Sequence, residues 1–112
     1  GDGLQMAIEI GAAKHGLYDG CHATPMDLHM KNYGGLDLEP RDRKNYRKIC
    51  YFLGIMVNAN GKRFLDEGKN FRNYTYAQYG ARVLEQPGHF AWQIFDNKVK
   101  NFLYDEYFFH FS

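Results

Sequence analysis

An α+β fold is predicted for these 112 residues by three observations: an apolar stripe at helical spacing near the start, two short apolar runs flanking Asn60-Gly61, and a second helical stretch closed by Gln86-Pro87-Gly88. Leu4, Ala7, Ile8 and Gly11 give the first helix one apolar face, with Asp2 as an N-cap or first-turn carboxylate and Gly16 as its expected stop. Residues 17–47 carry Gly34-Gly35 and the cluster Glu39-Pro40-Arg41-Asp42-Arg43-Lys44 without sustained periodicity, so a long irregular connection is expected. Long connections often carry function. The apolar run 53–57 then meets a tight turn at Asn58-Ala59-Asn60-Gly61, where Asn60-Gly61 would supply positive φ angles, and 62–65 returns as a short strand. A helix over 73–85 follows, with Ala77, Gly80, Ala81 and Leu84 as a small-residue packing face. Residues 90–95 read as a third strand, and Asp96 is placed to cap a last helix through Asn97, Val99, Phe102 and Leu103.

Composition narrows the function classes. A hydrophobic content of 45% argues for one ordered domain with a modest core. Fourteen basic against thirteen acidic side chains leave no electrostatic footprint for nucleic acid or an anionic membrane. No apolar run approaches the roughly 20 residues that span a bilayer, and no leader pattern precedes Asp2, so a soluble, cytoplasmic protein is expected. Cys21 and Cys50 have no CxxC or zinc spacing and read as reduced thiols, with a single disulfide as the alternative. Aromatic residues make up 17% of the chain, more than so small a domain can bury. Phe102, Leu103, Tyr104, Tyr107, Phe108, Phe109 and Phe111 are therefore expected to form an exposed interface patch and to promote self-association.

Charge gathers where the hairpin ends: Asp66, Glu67, Lys69 and Arg72 surround Phe71, a pattern that suggests a site. On residue type alone an arginine before a helix is ordinarily a surface ion-pair partner, and exposure is the default for Asp66 and Glu67. His22 on a loop has no metal-ligand pattern around it, and the spacing to His29 is irregular, so no metal site is expected.

Three motifs carry a resemblance. The segment Val57-Asn58-Ala59-Asn60-Gly61-Lys62-Arg63-Phe64-Leu65-Asp66-Glu67-Gly68, followed by Arg72, resembles the flavoprotein subunits of the fumarate reductase and succinate dehydrogenase family. The opening Gly1-Asp2-Gly3-Leu4-Gln5-Met6-Ala7 is similar to that family's TGDG-helix segment, without its threonine. Cys21-His22-Ala23-Thr24 stands where members carry His-Pro-Thr, with Ala23 in place of the proline. Within the family, the runs Phe71-Arg72-Asn73-Tyr74-Thr75-Tyr76 and Ala91-Trp92-Gln93-Ile94-Phe95-Asp96 look most like tricarballylate dehydrogenase and the CobZ-type precorrin-3B synthase flavoprotein.

The resemblance implies a piece of a longer enzyme. Residues 1–16 would be a helix leading from the FAD-binding domain, and 17–112 the α+β capping domain on the substrate side, with a truncated C-terminus. The chain begins at Gly1 and has no GxGxxG fingerprint, so this piece alone is expected neither to retain FAD nor to be active. Arg72 would be the catalytic group that passes a proton while a hydride moves between flavin and a di- or tricarboxylate. A guanidinium ordinarily holds its proton, so the chemistry demands a special setting. His22 and Thr24 would bind a substrate carboxylate, and Asp2 would approach FAD. Partners would be the carboxylate, the missing FAD-binding domain and an electron-transfer protein, the last able to bring the enzyme to the inner face of a membrane. The alternatives are a related flavoprotein acting on a corrin precursor, a ketosteroid or aspartate, and a non-enzymatic interaction module.

Overall fold

The computed structural model describes residues 1–18, 20–30, 39 and 46–107. Two α-helices and a two-stranded antiparallel sheet make an α+β arrangement, with short 3-10 turns between them. Helix α1 spans Asp2–Glu9, strand β1 Ile55–Asn58, helix α2 Tyr76–Leu84 and strand β2 Ala91–Ile94. Among the described residues, no helix is long and apolar enough to cross a membrane.

Helix α1 is shorter than its sequence pattern suggests because Gly11, not Gly16, ends it. Gly11 adopts φ +95, and its N–H donates to Ile8 O at 3.0 Å while Ala12 N–H donates to Ala7 O at 3.0 Å. These are the paired bonds of a left-handed helix closure, which satisfy carbonyls the last turn leaves open. Asp2 sits in the first turn, with Gly1 as N-cap and no side-chain cap bond. No residue of α1 is buried.

Strand β1 finds a different partner from the one local sequence offers. The expected return strand over 62–65 is reduced to an isolated bridge between Val57 and Arg63, and β1 pairs along its length with β2, in the register Ile55 with Ile94 through Asn58 with Ala91. Glu67 accounts for the difference. Its carboxylate accepts the Met56 N–H at 2.6 Å, occupying an edge donor that a second strand would otherwise take. The turn itself needs one positive φ, not two. Asn58 Oδ1 accepts from the N–H groups of Asn60 and Lys62 at 2.9 and 3.1 Å, Gly61 N–H donates to Asn58 O at 2.9 Å, and Gly61 alone takes φ +70.

The core forms where α2 crosses the sheet. Tyr51, Met56 and Tyr79 are its buried members, with Ile49, Phe64, Leu65, Tyr76, Val83 and Ala91 packed around them. The face α2 buries is thus Tyr76, Tyr79, Gly80 and Val83; of the expected small-residue face Gly80 is buried, whereas Ala81 and Leu84 are exposed. The Tyr79 hydroxyl donates to the Asp66 carbonyl, tying α2 to the segment after the turn. Burial pushes the Tyr79 phenol up from its ordinary range, and the nearby Asp66 charge adds to this. A short 3-10 turn precedes α2, at Arg72–Tyr74, where helix was expected to begin at 73.

At the C-terminal side, Asp96 caps as expected, accepting from the Lys98 N–H, but the element that follows, Asn97–Phe102, is 3-10. Tyr107, expected on an exposed patch, is buried instead. Its hydroxyl accepts the Cys50 N–H at 2.7 Å and donates to Gln93 Oε1 at 2.6 Å, so a polar tip fixes it inward. Phe102 is exposed; Phe108, Phe109 and Phe111 lie outside the described residues, as do Gly34-Gly35 and the 40–44 charge cluster. Cys21 and Cys50 are not joined in a disulfide; Cys21 is exposed and Cys50 buried.

Candidate functional site

Two extended segments make one wall of the site. Asp27 N–H donates to Tyr46 O at 2.7 Å and Lys48 N–H to Pro25 O at 2.8 Å, with Met26 and Arg47 paired in an antiparallel bridge. Successive side chains of extended backbone point to opposite sides. Arg47 and Ile49 accordingly face one cavity and Lys48 a different one. The start of α2 and the preceding 3-10 turn make the other wall. Gly80 brings the walls together: a Cβ there would stand 2.6 Å from the Ala23 carbonyl carbon and 2.7 Å from Thr24 N, so only a hydrogen fits between α2 and that backbone.

The result is a cavity of about 430 Å³ lined by His22, Thr24, Arg47, Ile49, Arg72, Asn73 and Tyr76. Its size falls in the range of small-molecule sites. Two guanidinium groups, an imidazole, a threonine hydroxyl, a phenol and an amide line it, and among the described residues no carboxylate does so. Such a set offers charge-assisted donors to an anion.

Four of the polar wall residues, His22, Tyr76, Arg72 and Asn73, restrain one another in pairs. His22 Nε2 lies 2.9 Å from the Tyr76 hydroxyl, and the two rings meet edge to face with centroids 5.1 Å apart. Arg72 Nη2 donates to Asn73 Oδ1 at 3.4 Å, and its guanidinium sits 5.1 Å from the centre of the Tyr104 ring. Behind Arg72, the buried Tyr51 and Thr75 hydroxyls are 2.7 Å apart. Burial pushes the Tyr51 phenol up from its ordinary range, opposed by the Thr75 hydrogen bond and the positive charge of Arg72.

Arg72 is thus brought to one cavity with His22 and Thr24, which lie far from it in sequence. Asp2 is not among its lining residues and stays exposed on the first turn of α1. Asp66 and Glu67 do not line it either. Glu67, for which exposure was the default, is buried at 4% accessibility, with its carboxylate held by Met56 N–H and the Arg63 guanidinium. Burial alone would push this carboxyl up, but the Arg63 contact and the Met56 N–H outweigh it and hold the group below the ordinary range. Its role is structural.

Arg47, Asn73 and Tyr76 were missed by sequence reasoning. Arg47 stands in the basic stretch Arg43-Lys44-Asn45-Tyr46-Arg47-Lys48, which reads as solvated loop charge, and nothing local reveals its pairing with Met26. Tyr76 had a weak signal, since a tyrosine two residues after another and beside a threonine, Tyr74-Thr75-Tyr76, puts one ring out and one in at a helix start. Among the described residues, no three His, Cys, Asp or Glu side chains gather where they could hold a metal ion.

Comparison with known proteins finds a similar protein. The chain is 34% identical over 99 residues to a protein named probable fumarate reductase Ifc3 from Shewanella frigidimarina. The matched stretch takes in 88% of this chain but 14% of that protein, so the chain spans a small part of the relative's length. This likeness supports a fumarate-reductase-family relationship. No family model matches the chain, and no solved structure matches it.

Proposed function

We propose that this chain is the substrate-side part of an FAD-dependent oxidoreductase of the fumarate reductase type, acting on a di- or tricarboxylate. The observation that carries this reading is the shared cavity: Arg72, His22 and Thr24 line it together, beside a second guanidinium from Arg47 and with no carboxylate among the described lining residues. A polyanion is the ligand such a wall suits, because each guanidinium can take one carboxylate in a forked pair of hydrogen bonds.

The proposed chemistry divides between cofactor and chain. FAD supplies the group that takes or gives the hydride. The chain's residues fit that scheme as a substrate wall, and the likeness to fumarate reductases, not the cavity, is what supports the flavin; Asp2 is the residue proposed to approach it. His22 and Thr24 bind one carboxylate, with the His22 ring held edge-on to Tyr76. Arg47 binds another. Arg72 is then the acid–base group: in the reducing direction its guanidinium gives a proton to the alkene carbon next to the one that receives the hydride, and in the oxidising direction the neutral guanidine removes it. Ile49 contributes apolar surface that limits water around the reacting carbons.

The finer reading is a tricarballylate dehydrogenase, which would convert the tricarboxylate to its unsaturated counterpart. Its support is the resemblance of residues 71–76 and 91–96 to that branch of the family. The test is the visible flavin absorbance of the full-length protein under anaerobic conditions, before and after tricarballylate, for wild type and Arg72→Lys. Bleaching in wild type and a fall of roughly 10²-fold or more in its rate in Arg72→Lys are expected, since a misplaced proton-transfer group costs about that much. Bound flavin that neither tricarballylate nor succinate bleaches, and that fumarate does not reoxidise, overturns the substrate class. A full-length protein without flavin overturns the whole reading.

A further inference from the structure

Thr75 occupies the N-cap of α2, where a threonine ordinarily turns its hydroxyl onto a backbone N–H of the first helical turn. It makes no such bond. Its Oγ1 instead lies 3.3 Å from the Arg72 carbonyl oxygen and 2.7 Å from the Tyr51 hydroxyl. Tyr51 is fully buried and Thr75 nearly so, at 3% accessibility, and neither lines the cavity.

Each hydroxyl has one proton to give, so one of the pair donates to the other and the other donates to the Arg72 carbonyl. Arg72 O lies 3.3 Å from Thr75 Oγ1 and 3.4 Å from the Tyr51 hydroxyl, and either member of the 2.7 Å pair can be the one that donates to it. The Thr75 N–H adds a second bond to the same carbonyl at 3.0 Å. One carbonyl thus accepts from the main chain of Thr75 and from the hydroxyl pair. At the other end of the residue, the Tyr104 ring lies 5.1 Å from the guanidinium carbon. Burial keeps the Tyr51 phenol in its donating, neutral form across the ordinary working range of pH.

A helix that leaves its first-turn donors without their local acceptor breaks a local rule, and such breaks mark tertiary or functional demands. We propose that Tyr51 and Thr75 are positioning residues, a buried hydroxyl relay that fixes the Arg72 backbone so that its guanidinium reaches the cavity from the correct side. This inference rests on the reading of Arg72 as the proton-transfer group. A side chain with several rotatable bonds reaches a reacting carbon reproducibly only if its base is fixed, and an error near 1 Å costs about 10²-fold in rate.

The test uses the full-length flavoprotein with Thr75→Val, which removes the hydroxyl at nearly constant shape, Thr75→Ser, which restores it, and Tyr51→Phe. Flavin content and melting temperature identify variants that fold. Expected are a fall in kcat of about 10- to 100-fold for Thr75→Val and Tyr51→Phe, with KM within about threefold, and near-wild-type kcat in Thr75→Ser. Wild-type kcat in folded Thr75→Val, an equal loss in Thr75→Ser, or a change confined to KM overturns the proposal. If the wild type turns over no polycarboxylate, the functional reading fails on its own, and the relay is then judged by the crystal structure of Thr75→Val. A displaced Arg72 guanidinium supports the relay, and one still over Tyr104 at the cavity overturns it.

Discussion

Helices α1 and α2 are nearly the same length, eight and nine residues, and both are amphipathic, yet they are stabilised in opposite ways. Helix α1 obeys local rules. It has an acidic first turn and a left-handed glycine closure, and it buries nothing, with Leu4 and Met6 open to solvent. Helix α2 neglects the local rule at its N-cap, buries Tyr79 and Gly80, and places Tyr76 on the cavity wall. The lesson is that a helix closed by its own glycine needs no neighbour to be recognised, whereas a helix whose N-cap threonine turns its hydroxyl elsewhere has a tertiary reason for it. Candidate chemistry gathers at the second kind.

Glycine-to-alanine changes break the comparison most directly, because the same substitution should have opposite signs in the two helices. In α2, Gly80→Ala drives a methyl to within 2.6–2.8 Å of three backbone atoms of Ala23 and Thr24. Overpacking of this kind costs about 1–3 kcal/mol, and the rigid backbone neighbours place it at the upper end. Urea unfolding should show that loss, and ligand binding should weaken as the His22–Thr24 segment moves away. An unchanged midpoint would mean the two walls can separate without cost.

Glu67 supports the α2 side from beneath, and removing it comes next in size. Glu67→Ala leaves the buried Met56 N–H without its acceptor, at a cost of about 1–3 kcal/mol. The folded carboxyl titrates below its ordinary value of 4.5, so its contribution is complete above about that pH and is lost as pH falls through the lower folded value. Acid unfolding followed from about pH 6 down to about pH 3 should therefore steepen in wild type below about pH 4.5, and Glu67→Gln should flatten that slope. An identical acid profile in the two proteins would show that Glu67 is not charged in the fold.

The smallest effect is expected in α1. A Cβ on Gly3 meets nothing within 4 Å, and Gly3 lies inside the helix. Gly3→Ala should stabilise this helix by up to about 1 kcal/mol through the unfolded chain's lost freedom. Amide exchange within α1 should slow while exchange at Met56 stays constant. A slowdown at Met56 as well would show that the two helices unfold together and would erase the contrast.

Several elements were legible in the sequence because nearest neighbours decide them. The turn at Asn58–Gly61 and the Asp96 cap depend on side chains bonding to backbone two residues away, and the stop at Gln86-Pro87-Gly88 on a proline and a glycine at φ +76. Gly11 was less legible, since its place on the apolar stripe hid its role as a helix stop. Within the site, His22, Thr24 and Arg72 stood out through motifs that resemble a family. Arg47 carried no such motif, and its relation to the cavity depends on a bridge to Met26, twenty-one positions earlier.

By itself the sequence determined the α+β class, the two helical stretches, the tight turn and the charge balance, all of which follow from local backbone preference and composition. Only the tertiary structure decided that β1 pairs with β2 and not with its own return segment, that Glu67 is buried, and that Arg47 and Arg72 share one cavity. The reason is the same in each case. A long-range pairing competes with a local one through small differences in packing and hydrogen bonding, and those differences exist only once distant segments have met.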